Sequence, residues 1–290
     1  MKKIAVLGAG VMGAGIAQVA AQGGYEVMIR DLRHTLVQRG LHGIEKSLDN
    51  SINNGAITTE ARDQIMSRIT GVTDLSEIHE ADMVIESIVE NMSVKKQVFA
   101  ELDGIFAEDV VLATNTSSLS IAEIASGTKH KNRIIGMHFF YPVPFMSLIE
   151  VVKGIETSDQ TVKRTIDVTR NMGKECILVE RESPAFIVNR IIAPMINEAV
   201  GIYAEGLASR EDIDQAMKLG AGMPVGPLEM ADRLGVDTIY SVILNMYEEF
   251  RDSKYRPHPL LSTMMRAGHF GRKTGRGFYE YNCDKKDSRN

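Results

Sequence analysis

The sequence predicts an α/β chain: a doubly wound sheet, followed by an all-helical domain. Three observations carry this. Short apolar runs rich in β-branched residues alternate with helical patterns through the first two-thirds. A glycine-rich turn follows the first run directly. The strand-like runs then stop near Ser183-Pro184. The expected domains are therefore 1–183 and 184–290. The first is a Rossmann-like doubly wound domain, the second an all-helical domain.

The strand candidates, in order, are Lys3–Leu7, Glu26–Arg30, Met83–Ser87, Val110–Ala113, Arg133–His138, Leu148–Val152 and Cys176–Val179. Most are continuous rather than alternating, as expected for strands covered on both faces. Between them, Leu41, Ile44, Leu48 and Ile52 share one helical face, and Val94, Val98, Leu102 and Ile105 another. Beyond Pro184 the pattern is helical. Phe186 to Glu205 reads as one helix stopped by Gly206. Ser209, followed by Glu211 and Asp212, starts the next. Pro224, Gly226 and Pro227 break the chain, Val236–Phe250 resumes it, and Pro257 and Pro259 break it again.

Composition excludes several classes. The 290 residues are 44% hydrophobic and 24% charged, which suits a globular protein rather than a disordered one. A net charge of −5 argues against a nucleic-acid binder. The two cysteines, Cys176 and Cys283, have no metal spacing, so neither a zinc site nor a disulfide framework is expected. Reduced cytoplasm is the expected compartment. No apolar run is long enough to span a membrane. Lys2 and Lys3 before the apolar stretch Ile4–Ala21 have the outline of a secretory leader. Gly8, Gly10, Gly13 and Gly15 inside that stretch fit a nucleotide-binding turn better.

Gly8-Ala9-Gly10-Val11-Met12-Gly13 is a G-x-G-x-x-G turn between a strand and a helix. The first glycine permits the tight turn, the second lets the backbone approach a pyrophosphate, and the third lets helix and strand pack closely. The helix N-terminus offers N–H groups and a positive dipole end to the phosphates. The next strand ends at Asp31, eighteen residues past Gly13. A carboxylate there accepts from ribose hydroxyls and repels a 2′-phosphate, so the expected cofactor is NAD. Arg30 and Arg33 flank it and leave room for dual use.

Three polar clusters fall at or near expected strand ends: Asn115-Thr116-Ser117-Ser118, His138 and Glu150. Open α/β sheets bind ligands beyond the carboxyl ends of their strands. A histidine titrates near neutrality, so it can exchange a proton with a hydroxyl as hydride leaves the same carbon. A carboxylate on its other nitrogen would fix its tautomer. Spacing alone does not bring His138 to Glu150, and on these residues alone a satisfied histidine at a strand end is the commoner reading.

At these residues the chain resembles the 3-hydroxyacyl-CoA dehydrogenase family, nearest to its short bacterial members acting on 3-hydroxybutyryl-CoA. The resemblance rests on Gly8–Gly13, Ile85-Glu86 through Glu90, Asn115–Ser118 and Met137-His138-Phe139-Phe140. It extends through Phe186–Arg190, Glu211–Asp214, Gly226-Pro227-Leu228, Gly271–Gly275 and Gly277-Phe278-Tyr279. It implies that His138 is the acid/base, Glu150 its partner, and Ser117 a contact of substrate and nicotinamide. It implies that Asn189 helps hold the substrate carbonyl region and that Asp31 meets the ribose. Glu90, Lys95 and Asn115 would lie near the nicotinamide half. The implied substrate is an acyl-CoA, acetoacetyl-CoA or 3-hydroxybutyryl-CoA, and the implied assembly a homodimer through the helical domain.

Two departures from the family pattern stand out. Tyr141 replaces an asparagine in His138-Phe139-Phe140-Tyr141-Pro142, where a larger phenol is expected to restrict acyl length. No Lys or Arg occurs between Ser47 and Ala61, where relatives often carry lysines for coenzyme A phosphates. Lys46 and Arg39 read as solvated helix-face charges, so weaker coenzyme A binding is expected. These departures keep open a dehydrogenase of a free hydroxy acid. A non-catalytic NAD-binding structural protein, as among lens proteins, is a third reading. The presence of Ser117, His138, Glu150 and Asn189 weighs against it.

Overall fold

The computed structural model describes residues 1–281. Cys283 lies outside them; Cys176 is free. The chain divides into two compact units, Met1–Ser183 and Pro184–Asn290.

The first unit is built on one eight-stranded sheet. Its strands are β1 (Lys3–Leu7), β2 (Glu26–Arg30), β3 (Ile69–Val72), β4 (Met83–Glu86), β5 (Val111–Thr114), β6 (Ile134–Phe139), β7 (Leu148–Val152) and β8 (Glu175–Val179). Their spatial order is β3-β2-β1-β4-β5-β6-β7-β8. Pairing is parallel throughout except between β6 and β7, which are antiparallel. The order reverses direction at β1/β4, the place where such sheets open a crevice.

The helices are α1 (Val11–Gln22), α2 (His34–Asn53), α3 (Thr59–Ser67), α4 (Met92–Ile105), α5 (Ile121–Ala125) and α6 (Asp159–Asn171). The core joins Ile4 and Val6 of β1 to Ile16, Val19 and Ala20 of α1, and to Met83, Ile85, Val111 and Met137 of the central strands. β1, β4, β5 and β6 are buried almost end to end, which explains their continuous apolar runs.

β3 is absent from the sequence reading. Ile69-Thr70-Gly71-Val72 is a four-residue edge strand with two exposed positions, so no apolar run marks it. Gly71 is required there, because a Cβ would lie 2.4 Å from Val37 Cγ1 of α2.

The second unit is helical: α7 (Val188–Ala204), α8 (Arg210–Ala221), α9 (Pro227–Leu234), α10 (Val236–Phe250) and α11 (Pro259–Ala267). Its core gathers Ile196, Val200, Leu228, Val236, Ile243, Met246 and Leu261. α7 starts at Val188, two residues later than the expected Phe186. Ala185 and Phe186 instead take left-handed backbone angles, φ 65° and 55°, which end any helix. Both side chains are buried, and that burial holds the strained backbone in place. Ser209 caps α8 by accepting from Asp212 N–H, as expected.

Two glycine motifs of this unit are packing devices. Asp214 accepts from Leu228 N–H and Glu229 N–H at the start of α9. A Cβ on Gly226 would stand 2.2 Å from Asp214 Cβ, so only glycine admits the contact. Asp232 likewise accepts from Phe278 N–H and Tyr279 N–H, and a Cβ on Gly277 would meet its Oδ1. Burial pushes the Asp232 carboxyl above its ordinary range. No helix among the described residues is long and apolar enough to cross a membrane.

Candidate active site

The glycine turn sits in the β1/β4 crevice. Gly8 has φ +99°, and a Cβ there would come within 2.3 Å of Ser87 O, just past β4. Gly13 is closed too, since its Cβ would lie 1.8 Å from Gly8 O. Gly10 differs: a Cβ there meets nothing within 4 Å, and its φ of −69° suits any residue. Open space beside Gly10 at the end of α1 is the room a pyrophosphate needs. No side chain caps that end of α1. Val11 and Met12 form its first turn, behind the glycines.

Asp31 follows β2 and ties back to this turn. Its Oδ2 accepts from Ala9 N–H at 2.8 Å and its Oδ1 from Leu32 N–H at 2.7 Å. Each oxygen keeps a second lone pair for a ribose hydroxyl. α2 packs close below, where a Cβ on Gly40 would touch Ala9 O at 2.7 Å. The residues present fit an NAD.

The second cluster follows β4 and β5. Lys95, on the first turn of α4, is fully buried and donates to Glu86 Oε1 at 2.6 Å. Glu86 is also fully buried, and its other oxygen accepts from Thr114 Oγ1 at 2.7 Å. Lys95 Nζ lies 3.4 Å from Glu90 Oε2. Glu90 Oε1 in turn accepts from Thr116 Oγ1 at 2.6 Å and from Ser117 N–H at 2.9 Å. Ser117 is thus held by a chain of charge reaching back to the strand ends. Lys95 belongs to that chain through its ion pairs with Glu86 and Glu90. Asn115 is also committed: its Nδ2 donates to Ser87 Oγ at 3.2 Å, and its Oδ1 accepts from Phe139 N–H at 2.9 Å. It laces together the ends of β4, β5 and β6.

The third cluster is the hairpin β6–β7. His138 and Glu150 face each other in its register. His138 Nδ1 and Glu150 Oε2 are 2.8 Å apart, with the carboxylate fully buried and the imidazole nearly so. Phe140 packs on the imidazole, ring centres 4.4 Å apart. Two residues twelve apart meet because β7 reverses direction, a connection their spacing does not encode. Asn189 lies on the first turn of α7, in the helical unit. Sequence reasoning left Glu86, Thr114 and Thr116 without roles. An acid ending a buried strand was the one available signal, and Glu86 supplies it.

The departures are visible as well. Tyr141 is 54% exposed at the start of the β6–β7 loop. The first cation past the lysine-free segment, Arg62, is held by Asp49 at 3.3 Å and Asp63 at 2.9 Å.

A glycine turn at a sheet switch point, an acid ending the second strand and a buried His–Glu pair define an NAD-dependent oxidoreductase of Rossmann type. Comparison with known families narrows the class. Residues 3–183 match the 3-hydroxyacyl-CoA dehydrogenase NAD binding domain, and residues 186–281 match that family's C-terminal domain. The chain belongs to the 3-hydroxyacyl-CoA dehydrogenase family. It is 46% identical to a 3-hydroxybutyryl-CoA dehydrogenase of Clostridioides difficile over 280 residues, 97% of this chain and 99% of the relative. It is 41% identical to the human mitochondrial hydroxyacyl-coenzyme A dehydrogenase, covering 97% and 91%. The crystal structure of (S)-3-hydroxybutyryl-CoA dehydrogenase from Ralstonia eutropha superposes with a TM-score of 0.93 at 44% identity, covering 97% and 99%.

Proposed function

We propose that this enzyme interconverts acetoacetyl-CoA and (S)-3-hydroxybutyryl-CoA, with His138 as the acid/base. The observation that carries the reading is the buried His138–Glu150 pair, in the same sheet as a complete dinucleotide turn. Gly8, Gly10, Gly13 and the first turn of α1 hold the pyrophosphate, and Asp31 holds the ribose. Bound NAD supplies the hydride chemistry at the substrate's C3.

The chain's own residues manage one proton and the substrate's position. Glu150 accepts from Nδ1–H of His138, so the proton exchanged with substrate passes through Nε2. During reduction the imidazolium gives that proton to the developing alkoxide; during oxidation the neutral ring removes it from the hydroxyl. Ser117, oriented through Glu90, is a neutral group suited to hydrogen-bond the keto oxygen without adding charge, and the family likeness gives the amide of Asn189 a similar part. The enzyme works in the cytoplasm as a homodimer through its helical unit.

The test is NADH oxidation with acetoacetyl-CoA. Wild type turns over, and His138→Ala loses about 10³-fold in kcat/KM while still binding NADH. No turnover by wild type overturns the reading. A second reading, a free hydroxy acid as substrate, draws on the segment 47–61 and the engaged Arg62. Preference for acetoacetate over its CoA thioester would select it.

A further inference from the structure

Lys174 lies between α6 and β8, outside every cluster described above. Its side chain is buried, and its Nζ reaches three backbone carbonyls of a single loop. It donates to Val143 O at 2.9 Å, Pro144 O at 3.1 Å and Met146 O at 2.8 Å. An ammonium has three N–H donors and no acceptor, so this loop takes all three. The loop, 140–147, joins the strand of His138 to the strand of Glu150. Its own support is a turn in which Phe145 N–H and Met146 N–H share Pro142 O. Three side chains of the loop, Tyr141, Phe145 and Met146, are exposed, while Val143 is buried in the core.

The loop also rests on α1, the helix that follows the glycine turn. A Cβ on Gly15 of α1 would stand 2.8 Å from Val143 Cβ, 3.1 Å from its Cγ2 and 3.6 Å from Pro144 Cδ. Gly15 has ordinary helical angles and is two residues past the phosphate turn. Its lack of a side chain therefore serves the loop and not the turn. Lys174 holds the loop by its carbonyls, and Gly15 lets the loop's side chains seat on α1.

We propose that Lys174 and Gly15 are positioning residues that fix the acid/base hairpin against the dinucleotide helix. Neither touches the reacting atoms. Lys174 acts through the carbonyls of Val143, Pro144 and Met146, and Gly15 through the seat it leaves for Val143. The role rests on the proposed function, in which α1 holds the cofactor and His138 moves the proton. A displacement of about 1 Å between such groups costs about 10²-fold in rate.

The experiment uses the whole protein and two variants, Lys174→Met and Gly15→Ala. Lys174→Met keeps the side chain's length and removes the donors. Gly15→Ala favours the helix intrinsically, so a loss of rate there does not come from a weaker α1. Three quantities are read: kcat with acetoacetyl-CoA and NADH, the Kd of NADH by fluorescence, and amide hydrogen exchange across 139–148. In both variants kcat falls by about 10²-fold. NADH Kd stays within about threefold, because the Asp31 and Gly10 contacts are intact. Exchange across the loop accelerates in both. Unchanged kcat in either folded variant overturns the proposal, as does unchanged loop protection in Lys174→Met. If Lys174→Met does not fold, Gly15→Ala decides alone. Wild type inactive on acetoacetyl-CoA would overturn the proposed function instead, and loop exchange would still decide whether Lys174 holds the loop.

Discussion

At its first turn α4 inserts Lys95 between Glu86 and Glu90; at its last, Asp103 meets Arg133. Both contacts bury opposite charges against the sheet. At the last turn Arg133 Nη2 donates to Asp103 Oδ1 at 2.7 Å, and Asp103 Oδ2 accepts from Lys129 N–H at 2.6 Å. His130 Nδ1 lies 3.0 Å from the same carboxylate. Arg133 stands just before β6, at the amino end of that strand, while Glu86 closes the carboxyl end of β4. Chemistry in such sheets gathers at the carboxyl ends. The upper pair therefore leads through Glu90 to Ser117, and the lower one leads to His130, Glu108 and backbone carbonyls, away from the carboxyl ends. A buried ion pair shows its purpose by the end of the sheet it occupies.

Breaking the upper pair has the largest expected effect. Lys95→Met leaves Glu86 buried without its cation, which costs about 3–5 kcal/mol of stability. Because Glu90 loses its tether, kcat/KM of the folded fraction falls about 10²-fold as well. Denaturant melts and steady-state kinetics measure the two losses; a stability loss alone would erase the distinction between the ends.

The lower pair is expected to act on stability only. Burial opposes ionisation of Asp103, but hydrogen bonds from Arg133, Lys129 N–H and His130, with the charge of Arg133, hold it down at about 2 against an ordinary 3.8. That shift corresponds to about 2 kcal/mol. Asp103→Asn loses about that much in a denaturant melt and leaves kcat/KM within about twofold.

Acid titration sharpens the same contrast. A carboxyl depressed in the folded state stabilises above its unfolded value and ceases to as pH falls through its folded one. The Asp103 contribution is therefore whole above about pH 4 and gone near pH 2. Melts across that window decline less steeply in Asp103→Asn than in wild type. The smallest effect belongs to Glu90→Gln, which keeps an acceptor for Ser117 N–H while removing the charge. It lowers kcat/KM by about tenfold or less and leaves stability nearly unchanged, since Glu90 is partly exposed.

How legible these regions are in sequence follows from how local they are. The turn Gly8–Gly13 and Asp31 lie within one βαβ unit, so fixed offsets carry them. Glu86, Lys95 and Thr114 converge from a strand, a helix and a second strand, and no offset encodes that. The edge strand β3 is short, half exposed and interrupted by Gly71, so it leaves no apolar run. The first residue of α7 depends on left-handed angles at Ala185 and Phe186, which neither residue type advertises. Gly226 and Gly277 sit in motifs shared with the family, yet their use is to admit Asp214 and Asp232, a fact only packing reveals.

The reversal at β7 has one more consequence. Along the paired stretch, Gly136 faces Val152, Met137 faces Val151, His138 faces Glu150 and Phe139 faces Ile149. Nearly every one of these positions is buried, so no polar face tells the two strands how to align. A slip by one residue would set a valine or isoleucine against the imidazole and carry the carboxylate to the opposite face of the sheet. His138 and Glu150 are the only polar side chains in the overlap, and each requires the other. In the folded sheet the His138–Glu150 couple thus marks the register of β6 on β7.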